Sequence, residues 1–183
     1  MKRKTRQQPD DKKLRELVLY ICERSEGDEA FGSAKLNKLL YLADFESYAA
    51  TWRSITGHAY TALPQGPSPV KLKSITEKMK LRGDLAFQKR DYRGVMQLKP
   101  VALRQADIDA FTPGEISRID NLIHKFWGRH ASQMIEEEEP LGAWKIARKG
   151  ETIPYGISFI SNRELTPDEI RRGLKLSPTA KGH

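Results

Sequence analysis

One cysteine, four histidines and no long apolar run set the first limits on this chain of 183 residues. The lone thiol, Cys22, has no partner for an intramolecular disulfide and fits a reducing compartment. His124 and His130 stand six residues apart, about 120° around a helix from one another, so they do not converge on one ion. No paired cysteines supplement them, and no structural metal or cofactor is expected. The segment from Met1 to Lys13 is polar, and Leu17 to Cys22 is too short for a signal core or a membrane span. The chain is expected to be cytoplasmic, with no membrane partner.

Catalytic signatures are missing as well. There is no Gly-x-Ser-x-Gly elbow and no glycine-rich loop leading from a strand into a helix. Cys22 lies beside the apolar stripe of the first helix, where a buried and inert thiol is the expectation. The four carboxylates of Glu136 to Glu139 point in different directions on a helix and repel one another, which favours a solvated face. The sequence supplies no mechanism for an enzyme, and none is expected.

What is present is positive charge arranged in clusters. The formal charge is +8 and the isoelectric point is near 9.6, which favours an acidic partner, either nucleic acid or an acidic protein surface. Lys2, Arg3, Lys4 and Arg6 form a basic N-terminal run. Lys71, Lys73, Lys78, Lys80, Arg82, Lys89, Arg90 and Arg93 form a second cluster.

The apolar residues arrive at helical spacing. After Pro9, Asp10 or Asp11 caps a helix carrying Leu14, Leu17, Val18 and Ile21, with Gly27 ending it. Ser33 is the expected cap of a second helix with Leu36, Leu39, Leu40 and Ala43 on its face. Tyr41, Leu42 and Phe45 widen that face until it is apolar nearly all round, which places this helix at the centre of the core. From Gly57 to Pro69, three prolines and two glycines predict an extended segment that turns sharply. A third helix is expected from Ser68 to Arg82, buried through Leu72, Ile75 and Met79 and stopped by Gly83.

A hairpin should follow, with Leu85 and Phe87 alternating on one arm, Met96 and Leu98 on the other, and Asp91-Tyr92-Arg93-Gly94 at the turn. Thr112-Pro113-Gly114-Glu115 is a capping box for a helix whose stripe runs through Ile116, Ile119, Ile123, Phe126 and Trp127. Ser132 to Glu139 is expected to extend helically up to Pro140, with a short helical turn around Trp144. Ile153 to Ser161 reads as irregular or extended, and Thr166-Pro167-Asp168-Glu169 as the start of a last short helix. The fold expected is mainly α, a compact helical single domain with a small antiparallel β-hairpin. Residues 1–9 read as a disordered basic tail, 10–176 as the domain and 177–183 as a frayed tail.

Two segments carry a more specific signal. One is Lys35-Leu36-Asn37-Lys38-Leu39-Leu40-Tyr41-Leu42-Ala43-Asp44-Phe45, followed by Thr56-Gly57-His58-Ala59-Tyr60 and Gln65-Gly66-Pro67-Ser68-Pro69-Val70. The other is Trp144-Lys145, followed by Gly150-Glu151-Thr152-Ile153-Pro154-Tyr155. Together they resemble the Panacea domain, the SocA-like antitoxin domain also described as phage-associated and GepA-like, over about Leu14 to Tyr155. Where the family often has a Ser-His pair shortly before the tryptophan, this chain has Glu136 to Glu139. The resemblance implies an antitoxin that binds a protein toxin encoded beside it and blocks its activity. One relative acts instead as an adaptor that delivers its toxin to a AAA+ protease. Neither role needs a cofactor.

The motif residues themselves, Leu36, Leu39, Leu40, Gly66, Pro67 and Trp144, are expected to specify the fold. Candidates for toxin contact lie outside the apolar stripes, on the two loops expected to project: His58, Tyr60, Gln65, Arg90, Tyr92 and Arg93. A competing reading is a winged-helix-like regulator binding promoter DNA, with the third helix in the major groove and the hairpin as wing. Its contacts would be Lys71, Lys73, Lys78, Lys80, Lys89, Arg90 and Arg93.

Overall fold

The computed structural model describes residues 7–134 and 147–159. The expectations for Glu136 to Glu139, Trp144, the helix at Thr166 and both chain ends beyond these limits fall outside the described residues. The described elements are α1 (Asp11–Arg24), α2 (Ser33–Thr51), β1 (Tyr60–Leu63), β2 (Gly66–Pro69), α3 (Leu72–Arg82), β3 (Leu85–Tyr92), β4 (Val95–Ala102), α4 (Pro113–Lys125) and β5 (Thr152–Ile153). Single 3-10 turns occupy Ile108–Ala110 and Tyr155–Phe159. No described helix is long and apolar enough to cross a membrane.

Helix α2 is the centre, as its all-round apolar pattern predicts. Leu36, Leu39, Leu40, Tyr41, Leu42, Ala43 and Phe45 are all buried, and the helix packs against α1, α4, β2 and the Tyr155–Phe159 turn. Asp10 caps α1, its carboxylate accepting from Lys13 N at 2.8 Å. The capping box of α4 is complete in both directions between Thr112 and Glu115.

Three expectations are corrected. The N-cap of α2 is Gly32; Ser33 is the first helical residue, and its hydroxyl donates to Leu98 O at 2.9 Å, tying α2 to β4. Helix α1 stops at Arg24, before Gly27, because the chain turns at Ser25 to bury Asp28. Gln7 does not trail away, since its side-chain amide donates to Ser54 O at 2.8 Å and accepts from Ser54 N at 3.1 Å.

The fold is mixed α+β, because the proline-rich segment forms strands. Strands β1 and β2 pair antiparallel with Tyr60 opposite Pro69 and Ala62 opposite Pro67, and β5 joins β1 on its other edge in the order β2-β1-β5. Pro67 and Pro69 are tolerated because β2 is an edge strand, where a missing N–H costs no ladder bond. Ser68 and Pro69 therefore belong to β2, and α3 starts only at Leu72. Gly66 has φ +124°, and a Cβ there would lie 3.2 Å from Lys38 Cε, so the turn needs glycine on both counts.

The expected hairpin is present and longer than expected, with Leu85 opposite Ala102 and Tyr92 opposite Val95. Its turn is Arg93-Gly94, both at positive φ, and Asp91 Oδ1 accepts from Gly94 N at 3.1 Å. Two-residue loops of this kind match the right-handed strand twist. Met96 and Leu98 are exposed, not buried. The arm outruns the core: Leu85 is buried and Phe87 partly so, whereas the pairs Lys89–Leu98 and Asp91–Met96 stand beyond it.

Charged residues buried in this core are each supplied with partners. Lys35 and Asp28, both 2% exposed, pair at 2.6 Å. The same ammonium donates to Phe126 O at 2.5 Å and Arg129 O at 2.9 Å, so all three of its protons are used. Lys38 adds a bond to Ala131 O. Glu16 receives a bidentate Arg104 guanidinium at 2.8 Å for each bond, together with Asp107 N at 2.9 Å. Burial alone would raise that carboxyl; the bonds from Arg104, Asp107 and Arg15 outweigh burial and hold it at about 2.

The third such group is Asp44. Its carboxylate accepts from Thr56 N at 2.7 Å, Thr56 Oγ1 at 2.5 Å and Tyr60 Oη at 2.8 Å. Tyr60 Oη also lies 2.8 Å from Leu40 O, which gives one hydroxyl proton two acceptors. Burial pushes Asp44 up to about 6 against the opposing bonds from Thr56 and Tyr60.

Two outcomes follow from this packing. Leu40→Ala should cost about 2–5 kcal/mol through lost burial and a residual cavity, and Lys35→Ala about 3–5 kcal/mol by stranding Asp28, both read from urea unfolding at pH 7. For Asp44 the folded value lies above the unfolded value of about 3.9. Its contribution is therefore complete below about pH 4 and lost as pH rises through about 6. Asp44→Asn should consequently gain about 2 kcal/mol on the native protein between pH 4 and 7.5. A constant difference across that range would mean that Asp44 titrates alike in both states.

Candidate partner interface

The hairpin tip is built from alternating charge and ring. Tyr92 closes β3, with the Arg90 guanidinium 5.9 Å and the Arg93 guanidinium 5.4 Å from its ring centroid. The ring itself lies 4.8 Å from that of His130, just beyond α4. Arg93 is exposed, while Arg90 and Tyr92 are half-buried.

The same face of the hairpin grips the loop between α1 and α2 through its carbonyls. Arg90 donates to Glu29 O, Gln97 Nε2 to Ala30 O at 3.2 Å, and Lys99 Nζ to Glu26 O at 2.5 Å. The same loop turns Asp28 inward to Lys35, and Asp28 also accepts from Gly128 N at 3.2 Å. A Cβ on Gly27 would lie 3.6 Å from the Trp127 ring.

Three chain-distant segments, 26–29, 90–93 and 127–130, are thereby braced into one surface. Trp127 is 48% exposed on it. The helical stripe Ile119, Ile123 and Phe126 is buried as expected, but Trp127 departs from that expectation. It lies past Lys125, the last residue of α4, so the 3.6-residue period no longer aims it at the core. The signal available in the sequence was Gly128-Arg129 directly after it, a helix ending. Large aromatic and arginine side chains on a rigid, partly apolar patch are the composition of interface anchors.

The remaining site expectations divide. Tyr60 and His58 do not project, being 0% and 2% exposed. Tyr60 is drawn inward by Asp44 and by edge-on contacts with Tyr41 at 5.6 Å and Phe45 at 5.4 Å. His58 lies under α1, with Nε2 3.3 Å from Asp11 Oδ1, and burial lowers it below the ordinary histidine range against the pull of Asp11. Gln65 is exposed on the separate β1–β2 turn. Lys71, Lys73, Lys78 and Lys80 are exposed on α3, and Lys89 on β3.

Cys22 borders a cleft of about 250 Å³ together with Lys99, but burial raises its thiol far above the ordinary range. Among the described residues no group of three histidines, cysteines or carboxylates stands close enough to hold a metal ion.

The motif residues meet in space. Lys35 and Lys38 close the end of α4, Asp44 joins Thr56 to Tyr60, and Gly66 lies against the stem of Lys38. A family described as "Antitoxin SocA-like, Panacea domain" matches residues 36–145, from within α2 past the end of α4. No curated protein and no solved structure matches the chain. The matched span is more than half of the 183 residues and contains Asp44, Thr56, Tyr60 and Gly66. The chain therefore belongs to the SocA-like antitoxin family and carries its Panacea domain.

Proposed function

We propose that this protein is the antitoxin of a toxin–antitoxin pair, neutralising a protein toxin encoded beside it by direct contact in the cytoplasm. Family membership supports the general role. The observation that carries the finer reading is the braced surface on which Trp127, Tyr92 and Arg93 stand together. The bonds of Asp28 and Lys35 behind it are buried, so the patch is held in shape before a partner arrives, and little ordering cost is left for binding. Of the residues first singled out for toxin contact, Arg90, Tyr92 and Arg93 belong to this surface. Tyr60 and His58 are buried in the fold, and Gln65 stands on its own turn.

Blocking by contact should be stoichiometric. With purified toxin and antitoxin and no protease present, residual toxin activity should fall linearly with added antitoxin and reach zero near equivalence. Trp127→Ala and Tyr92→Ala should each weaken binding by about 2 kcal/mol or more, roughly thirtyfold in Kd, while Cys22→Ala neutralises like the native protein. Substoichiometric rescue would indicate turnover. Rescue that requires a AAA+ protease would indicate delivery of the toxin for degradation. Unchanged affinity in both aromatic variants would place the toxin on another surface.

A further inference from the structure

Helix α3 is basic, and the toxin-binding surface does not use it. Its buried face is Leu72, Ile75, Thr76 and Met79. At about 100° per residue, the remaining positions sort into three rows. Lys71, Lys78 and Arg82 share one flank, Lys73 and Lys80 share the other, and Ser74, Glu77 and Leu81 point outward between them. Leu81 is 88% exposed. The basic residues therefore form two rails along an outward stripe that is itself not basic.

Most of this charge is uncompensated. Lys80 pairs with Glu77 at 3.2 Å and Lys71 approaches Asp11 at 3.6 Å. Lys73, Lys78 and Arg82 make no ion pair with any described residue, nor does Lys89 on the neighbouring strand. On the first flank, Lys78 and Arg82 meet Arg15 of α1 around a cleft of about 150 Å³, with Asp11 at its edge. The Asp11 carboxylate already faces Lys71 and His58, which leaves the cleft a place for an anion.

We propose that α3 is a second binding element, independent of the toxin surface, which docks in the major groove of B-form DNA. An α-helix about 10–12 Å across fits a groove about 12 Å wide. Phosphates then line both of its sides, which is what two basic rails separated by a stripe without basic residues require. An acidic peptide strand would be met by one rail. Ser74 and Glu77 face the base edges, where a carboxylate accepts from cytosine N4, and Leu81 suits a thymine methyl. The role first given to Arg90 in DNA contact passes to Arg82, because Arg90 is engaged with Glu29 and Tyr92.

The test is fluorescence anisotropy of the purified full chain with a duplex taken from immediately upstream of its own gene, an unrelated DNA duplex and an RNA duplex of the first sequence. Binding to DNA should be measurable at low salt, with log K falling linearly in log salt by about 0.9 per phosphate contact. The RNA should bind at least about tenfold more weakly, because the A-form major groove is too narrow for a helix. Lys73→Glu and Lys78→Glu, one from each rail, should each cost about tenfold or more. Lys149→Glu, an equal change of charge elsewhere, should cost less than about threefold. All three variants should neutralise toxin like the native protein. The proposal is overturned by no DNA binding at low salt, by RNA bound as well as DNA, by loss from one rail only, or by Lys149→Glu matching Lys78→Glu. Loss of toxin neutralisation in the rail variants would also overturn it, by making α3 part of the protein interface.

Discussion

The Lys35 ammonium is the point on which the rest of this structure turns. A lysine that is 2% exposed survives only if its charge is matched and every proton finds an acceptor. Asp28 supplies the charge, and the carbonyls of Phe126 and Arg129 supply the rest. Phe126 is the C-cap of α4 and Arg129 lies in the turn after it, so the cation sits at the helix's C-terminal end, where the helix dipole favours it. One side chain thereby fixes the start of α2, the loop before it and the end of α4 relative to one another. Lys38 repeats the arrangement one turn later with Ala131.

The same logic recurs at two other places with different chemistry. Glu16 is held ionised by Arg104, which also reaches Asp84 at 3.0 Å and so joins α1 to the end of the hairpin. Asp44 is pushed toward its protonated form, and its bonds draw Thr56 and Tyr60 onto α2. Folded-state titration of these two carboxyls therefore moves in opposite directions. Glu16 loses its contribution as pH falls from about 4.5 toward 2, and Asp44 loses its own as pH rises through about 6. His58, lowered by burial, acts against Asp44 near neutrality.

A binding protein gains from such rigidity. The surface around Trp127 and Tyr92 owes its shape to bonds made behind it, by Asp28, Lys35, Gln97 and Lys99.

Local chemistry made much of the fold legible in the sequence. The α4 capping box, the all-round apolar face of α2, the Gly83 stop and the Arg93-Gly94 turn each depend on residues a few positions apart. So did the family resemblance, carried by Leu36 to Tyr60 and the Gly66-Pro67 turn. The direction of individual side chains at the site was decided elsewhere. Tyr60 faces inward because Asp44 lies behind it, Trp127 faces outward because α4 has ended, and Met96 and Leu98 are bare because the hairpin outruns the core. The pairing of β5 with β1 and of Lys35 with the α4 carbonyls joins residues 91 or more positions apart. A buried polar group takes whichever partner the fold brings within hydrogen-bond reach, and over such separations only the packed tertiary structure settles which one that is.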